Sequence, residues 1–182
     1  RYFAQLRARD QFGNEVRSAV ADFSTAGLDT ITHFVAASGS NDGVPDDRSQ
    51  PWSSVQRAVN AIPDDLTTIE TYYFVHILDS SRYAERVTIN KKTEAGYSIT
   101  LQAAVGQSPT IAPPNGQFGV VIKSPYVVVE GMLVEASNRY AVDTNETDNV
   151  TIRDCVLHDG TNNNNGGGVR LLRADHNLLI DN

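Results

Sequence analysis

The chain has 182 residues, enough to bury a hydrophobic core in one domain or a domain and part of another. Fifteen Lys and Arg against 22 Asp and Glu give a net charge of −7 with no basic stripe, which argues against nucleic acid as a partner, because phosphate neutralisation demands clustered cations. A single cysteine excludes an internal disulfide, and no apolar run is long enough for membrane insertion.

The chain opens on Arg1 and closes on Leu178-Leu179-Ile180-Asp181-Asn182, inside a strand-like pattern, so both ends read as cuts through a longer protein with neighbouring domains. Asn, Thr, Val and Gly are abundant and strong helix formers do not run long, so a mostly β chain is expected. Residues 1–27 form a unit of their own. Tyr2 to Arg9 alternates apolar and polar side chains, Asp10 to Glu15 carries turn residues, and Val16 to Phe23 alternates again, which predicts a β-hairpin. A hairpin alone is marginal in water, so it needs a further surface to dock on.

Residues 28–66 lead into the main body. Ile31 to Ala36 reads as a short strand, and Ser38 to Asp47 as a polar loop rich in turn residues. One helix follows, with Pro51 in its first turn and Pro63 stopping it. Trp52, Val55, Val59 and Ile62 make one apolar stripe flanked by Ala58 and Ala61, while Gln56, Arg57 and Asn60 face away. A short amphipathic helix among strands has an evident use: it covers the open end of a β stack.

Residues 67–182 carry an internal repeat. Tyr126 to Val134 aligns with Asn149 to Leu157, and the tail resumes from Asn177, spacings of 23 and 28 residues. This alignment places Val127, Val150 and Leu178 in one column, Val129, Ile152 and Ile180 in a second, Met132 with Cys155 in a third and Val134 with Leu157 in a fourth. The polar pairs Glu130-Gly131, Arg153-Asp154 and Asp181-Asn182 mark bends where the inward phase resets. A third short strand precedes each unit, at Gly119 to Ile122, Tyr140 to Val142 and Gly168 to Leu171. Three strands per turn with like residues stacked between turns is the pattern of a parallel β-helix; an antiparallel sandwich alternates without aligned columns.

Residues 31–182 resemble the pectate-lyase-like superfamily of right-handed parallel β-helix proteins. The resemblance rests on Phe34 to Gly39 followed by Asn41-Asp42-Gly43, on Pro51-Trp52-Ser53-Ser54-Val55-Gln56-Arg57-Ala58-Val59 as a capping segment, and on Tyr83 to Ile89 and Ile99 to Ala103 as first-coil strands. Residues 1–27 resemble the last two strands of a fibronectin type III domain, through Tyr2, Arg7-Ala8-Arg9-Asp10, Gly13-Asn14 and Ala21 to Thr25. The implied architecture is all-β: a fibronectin-type fragment over 1–27, then the N-terminal part of a right-handed parallel β-helix with three-strand coils and one capping helix over 28–182.

That superfamily hosts lyases, hydrolases, esterases, epimerases and non-catalytic modules, so activity has to be argued from the site. The resemblance implies a groove along one outer sheet walled by long loops, for which Asp159 to Gly168 is the candidate. It also makes calcium the plausible metal, and Asp143, Asn145 and Asp148 the oxygen ligands to consider; the alternative is an acidic turn capping its own amides. A β-eliminating lyase needs a base beside a neutralised uronate, and the candidates are Arg153, Asp154, His158 and Arg170; residues of these types more often simply solvate an outer face. The Gln and Asp motifs of the similar pectin esterases are missing between Phe118 and Asp143. Cys155 reads as a core thiol, the four histidines lack metal-ligand spacing, and Asn145-Glu146-Thr147 and Asn149-Val150-Thr151 are sequons that matter only in a eukaryotic secretory host. The expectation is a secreted or surface, carbohydrate-active protein acting on polysaccharide, a lyase or hydrolase if catalytic; the alternative is a non-catalytic adhesion or scaffold module.

Overall fold

A computed structural model describes residues 29–69, 71–114, 116–136, 139–158 and 166–182, together with the backbone of Asp159 and of four short strands before residue 24. Those four are β1 (Tyr2–Ala4), β2 (Arg7–Arg9), β3 (Glu15–Arg17) and β4 (Ala21–Phe23). β1 pairs antiparallel with β4 and β2 with β3, the two-rung ladder of a hairpin.

From Asp29 onward the pairing is parallel. β5 (Asp29–Ser40) is followed by α1 (Val55–Ala61), then β6 (Thr71–Ile77), β7 (Arg82–Tyr83), β8 (Val87–Ile89), β9 (Ile99–Ala103), β10 (Thr110–Ile111) and β11 (Val120–Ile122). β12 (Val127–Glu130), β13 (Leu133–Ala136), β14 (Tyr140–Asn145), β15 (Thr151–Arg153), β16 (Val156–Asp159), β17 (Gly167–Leu172) and β18 (Leu178–Ile180) complete the order. A first sheet contains β5, β6, β9, β12, β15 and β18, a second β7, β10, β13 and β16, and a third β8, β11, β14 and β17. From β6 on, the chain visits the three sheets in fixed rotation, one strand of each per turn. From Asp29 on, the described residues form three stacked parallel sheets and one helix, an all-β architecture consistent with a parallel β-helix. Among the described residues after Tyr126 every strand pairing is parallel, which does not fit an antiparallel sandwich.

Alternation explains the interior. Val75, Leu101, Val129 and Ile152 lie in register across the first sheet, Tyr83, Ile111 and Val134 across the second, and Val87, Val120 and Val142 across the third, all buried. Each fully buried aliphatic side chain contributes about 1.5–3 kcal/mol by leaving water. Cys155 belongs to this interior; its thiol points to the carbonyls of Arg153 and Val129, and burial pushes its pKa up.

One expected register is corrected. Ile152 stands beside Leu179 and Thr151 beside Leu178, so the last unit is shifted by one residue from the columns drawn on Leu178 and Ile180. The left-handed backbone positions set the true register: Tyr126, Asn149 and His176 at one corner, and Gly131, Asp154 and Asp181 at the next, all have positive φ. A chain that must bend sharply at the same place in every turn puts Gly, Asn or Asp there at least cost. Asn177 looks like the counterpart of Asn149 in sequence, yet it follows the corner instead of occupying it. Its Oδ1 accepts from Val150 N at 2.8 Å and its Nδ2 donates to Thr147 O at 3.2 Å, so the amide satisfies backbone groups of the turn before.

The helix closes the stack as its stripe predicts. Val55, Ala58, Val59, Ile62 and Trp52 are buried, whereas Ala61 is exposed. Pro51 and Trp52 precede the helix, correcting the expected start: Ser54 is the N-cap, its Oγ accepting from Arg57 N at 3.2 Å, and Trp52 bridges to Val35 and Ser40 of β5. Glu85 completes the cap from the first full turn, its carboxylate accepting from Val55 N at 2.8 Å, Gln56 N at 3.2 Å and Ser54 Oγ at 2.6 Å. β5 is longer than the expected Ile31 to Ala36, and Asp46 guards its outer edge, donating N–H to Thr32 O and accepting from Thr32 N.

Candidate functional site

The outer face of the third sheet gathers the chemistry. Outward residues alternate with the Val and Ile core, so Thr88, Val121, Asp143 and Arg170 fall in one column across β8, β11, β14 and β17. Asp143 is 3% exposed, and Arg170 reaches it with two bonds, Nε to Oδ1 at 2.6 Å and Nη2 to Oδ2 at 2.9 Å. Donating these bonds to Asp143 holds the Arg170 guanidinium above its ordinary pKa. Its Cζ lies 5.0 Å from the Phe118 ring centre and 5.6 Å from that of Tyr140, and Arg139 approaches Phe118 at 5.7 Å. Gly119 lets the chain enter β11 so tightly that an added Cβ would fall 2.4 Å from Val134 Cγ1 and 2.6 Å from Glu135 O. A cavity of about 250 Å³ opens beside the column, lined by Arg86, Thr88, Phe118, Val121, Lys123 and Asp143.

The calcium candidates are placed as follows. Both oxygens of Asp143 are taken by Arg170, and Asp148 accepts from Asp175 N at 2.6 Å, the amide-capping role of an acidic turn. Asn145 ends β14, where its carbonyl accepts from the Thr147 hydroxyl at 3.1 Å. Among the described residues no group of three or more His, Cys, Asp or Glu side chains is arranged to hold a metal.

The catalytic candidates separate. Arg153 lies on the first sheet, its Nη2 2.7 Å from Glu130 Oε2 of the preceding turn, a bond that raises its pKa. Asp154 follows at the left-handed corner, exposed. His158 lies on the second sheet beside Glu135, whose carboxylate is gripped by Arg82 at 2.7 and 2.6 Å and held below its ordinary pKa by those bonds. Only Arg170 belongs to the third-sheet cleft. The candidate groove wall, Asp159 to Gly168, lies outside the described residues from 160 to 165.

Sequence reasoning did not single out Phe118, Tyr140, Arg86 or Lys123. The third-strand pattern ends at Val142 and leaves Asp143 out, so the column of Val121, Asp143 and Arg170 follows from the observed register and not from the repeat as aligned. In comparisons with known proteins, no family model, no curated protein and no solved structure matches this chain.

Proposed function

We propose that the chain is part of a secreted or cell-surface, carbohydrate-binding protein whose third-sheet cleft contacts an acidic polysaccharide. The observation that carries this reading is Arg170, anchored by Asp143 between the rings of Phe118 and Tyr140 at the edge of an open cavity. Aromatic faces take the apolar side of a sugar ring, and an oriented guanidinium takes a carboxylate. Arg86, Lys123 and Arg139 around a single buried carboxylate leave the cleft cationic on an acidic protein. The finer fold reading is a right-handed, pectate-lyase-like β-helix after a fibronectin-type hairpin. It is supported by the near-universal right hand of parallel crossovers and by the antiparallel ladder of β1 to β4.

Binding is a better fit to this cleft than cleavage. A lyase base must be free to take a proton, and Arg153 and Arg170 are both committed to carboxylates. The same inter-turn ion pairs favour a second reading, a stiff scaffold whose outer charges serve the stack. Titration of oligogalacturonates and neutral oligosaccharides by calorimetry separates the two. The binding reading expects saturable uptake of the acidic sugar that Phe118→Ala weakens by about tenfold, with no ultraviolet absorbance from unsaturated products. No binding of either sugar leaves the scaffold reading.

A further inference from the structure

A second, larger cavity of about 730 Å³ lies at a corner of the stack, between the turn that follows α1 and the bends that follow β8 and β11. Lys91, Lys92 and Lys123 line it together with Asn90, against one lining carboxylate, Asp64. The chain as a whole carries −7, yet these three lysines outnumber the two carboxylates paired with them, Asp64 and Asp65, so the local charge runs against the protein's own field.

The three lysines are not equivalent. The Lys91 side chain is only 7% exposed, and its ammonium donates to Ile62 O at 2.6 Å and to Asp64 Oδ1 at 2.8 Å. An ammonium has three N–H groups, so one remains for a ligand, on a side chain already fixed in place. Its backbone is pinned as well, the Lys91 N–H donating to Ser124 Oγ at 2.5 Å, and the Thr93 hydroxyl donates to Pro125 O. Lys92 reaches Asp65 at 3.0 Å but stays largely in solvent. Lys123 has no ion-pair partner among the described residues and no role in the core. Bonding to the Ile62 carbonyl at the end of α1 accounts for Lys91 structurally and the Asp65 ion pair for Lys92, whereas nothing comparable accounts for Lys123.

We propose that this corner cavity binds a divalent oxyanion, a sulfate or phosphate, through Lys91, Lys92, Lys123 and the Asn90 amide. Three lysines held around one cavity, only two of them paired with carboxylates, offer several N–H donors to the oxygens of a dianion, which a neutral sugar or a single carboxylate cannot engage together. The Asp64 side chain is almost wholly in solvent, so it is free to swing away from an incoming anion. Lys123 also lines the third-sheet cleft, so an ester group on a glycan and a free ion are two sources of the same chemistry.

The test is a titration of the 182-residue chain with sodium sulfate and sodium phosphate at matched ionic strength, followed by amide NMR shifts. Saturable binding with shifts confined to residues 90–93 and 123 is expected, and Lys123→Gln weakens it by about tenfold. Arg57→Gln, an equal charge change on the exposed face of α1, leaves it unchanged. A sulfated disaccharide that binds more tightly than free sulfate assigns the cavity to an ester; equal affinities assign it to a free ion. Absence of saturation, or equal loss in both variants, overturns the proposal. Phe118→Ala retains sulfate binding whether or not the glycan reading of the neighbouring cleft survives.

Discussion

Asp143 and Arg170, 27 residues apart in sequence, meet as a two-armed ion pair that joins adjacent turns of the stack. The pair takes an oxygen-ligand candidate and a base candidate and spends each on the other. Removing one member of a buried pair costs about 3–5 kcal/mol, and the 34% exposure of the Arg170 side chain lowers this to about 1–3 kcal/mol for Asp143→Asn. The double variant Asp143→Asn/Arg170→Gln is expected to lose less than the sum of the single losses in urea denaturation. Strict additivity would show that the two side chains do not interact in solution.

The capping region carries a pH response. His33 is buried, stacked on Trp52 at 4.6 Å and edge-on to Tyr73 at 5.8 Å, and its Nδ1 donates to Ala58 O at 2.8 Å. Burial pushes its pKa below the ordinary 6.5, against weaker opposing effects of the Ala58 carbonyl and Asp46. The unfolded chain therefore takes up this proton first as pH falls. Stability from His33 is complete above pH 6.5 and declines below it until the folded pKa is passed, by at most about 1.4 kcal/mol per pH unit. His33→Gln is expected to be less stable at neutral pH and flatter in its stability profile below 6.5. Some slope persists from His76, which burial and the nearby Arg48 also lower. An unchanged profile would remove His33 as its source.

Glu85 holds the helix to the stack from outside the helix. Glu85→Gln keeps the size and one acceptor but loses the charge beside the α1 amides, and a loss of about 0.5–2 kcal/mol is expected. Hydrogen exchange at Val55 and Gln56 should quicken before that of the β9 and β12 core strands. Uniform acceleration across the chain would instead assign Glu85 a global role.

Gly43 sits where a Cβ would fall 2.4 Å from Trp52 Cδ2. Gly43→Ala is expected to displace the indole and, through the stacked ring, loosen His33. The readout is Trp52 fluorescence, the chain having one tryptophan: a red-shifted emission in the native variant is the expected outcome, and an unshifted spectrum counts against it.

The terminal turn exposes Val156, Leu171, Leu172, Leu178, Leu179 and Ile180, and the outer edges of β16, β17 and β18 have no neighbour among the described strands. In a chain of these 182 residues such an edge is open to a further strand, whether its own continuation or a second copy. Concentration-dependent self-association is expected by sedimentation velocity, reduced in a Leu178→Lys/Leu179→Lys variant. A chain that stays monomeric at high concentration would contradict this.

For the turns before Asn177, inward and outward side chains are legible in the amino-acid order. Strict alternation at Val127 and Val129, at Val150 and Ile152 and at Val120 and Ile122, with the Trp52 to Ile62 stripe, sufficed for three-strand turns and a capping helix, because in-or-out orientation is a local property with a period of two. Tertiary structure alone decided which outward residues become neighbours. Successive turns differ in length, with inter-turn partners 23 residues apart at Arg153 and Glu130 but 27 apart at Arg170 and Asp143. Lateral register therefore depends on how each loop closes, which no local pattern records. That is why the repeat pattern at Asn177 lies one residue out of step with the observed register. It is also why the grip of Arg170 on Asp143, the reach of Glu85 to α1 and the place of Lys123 between two cavities emerged only when the turns were stacked.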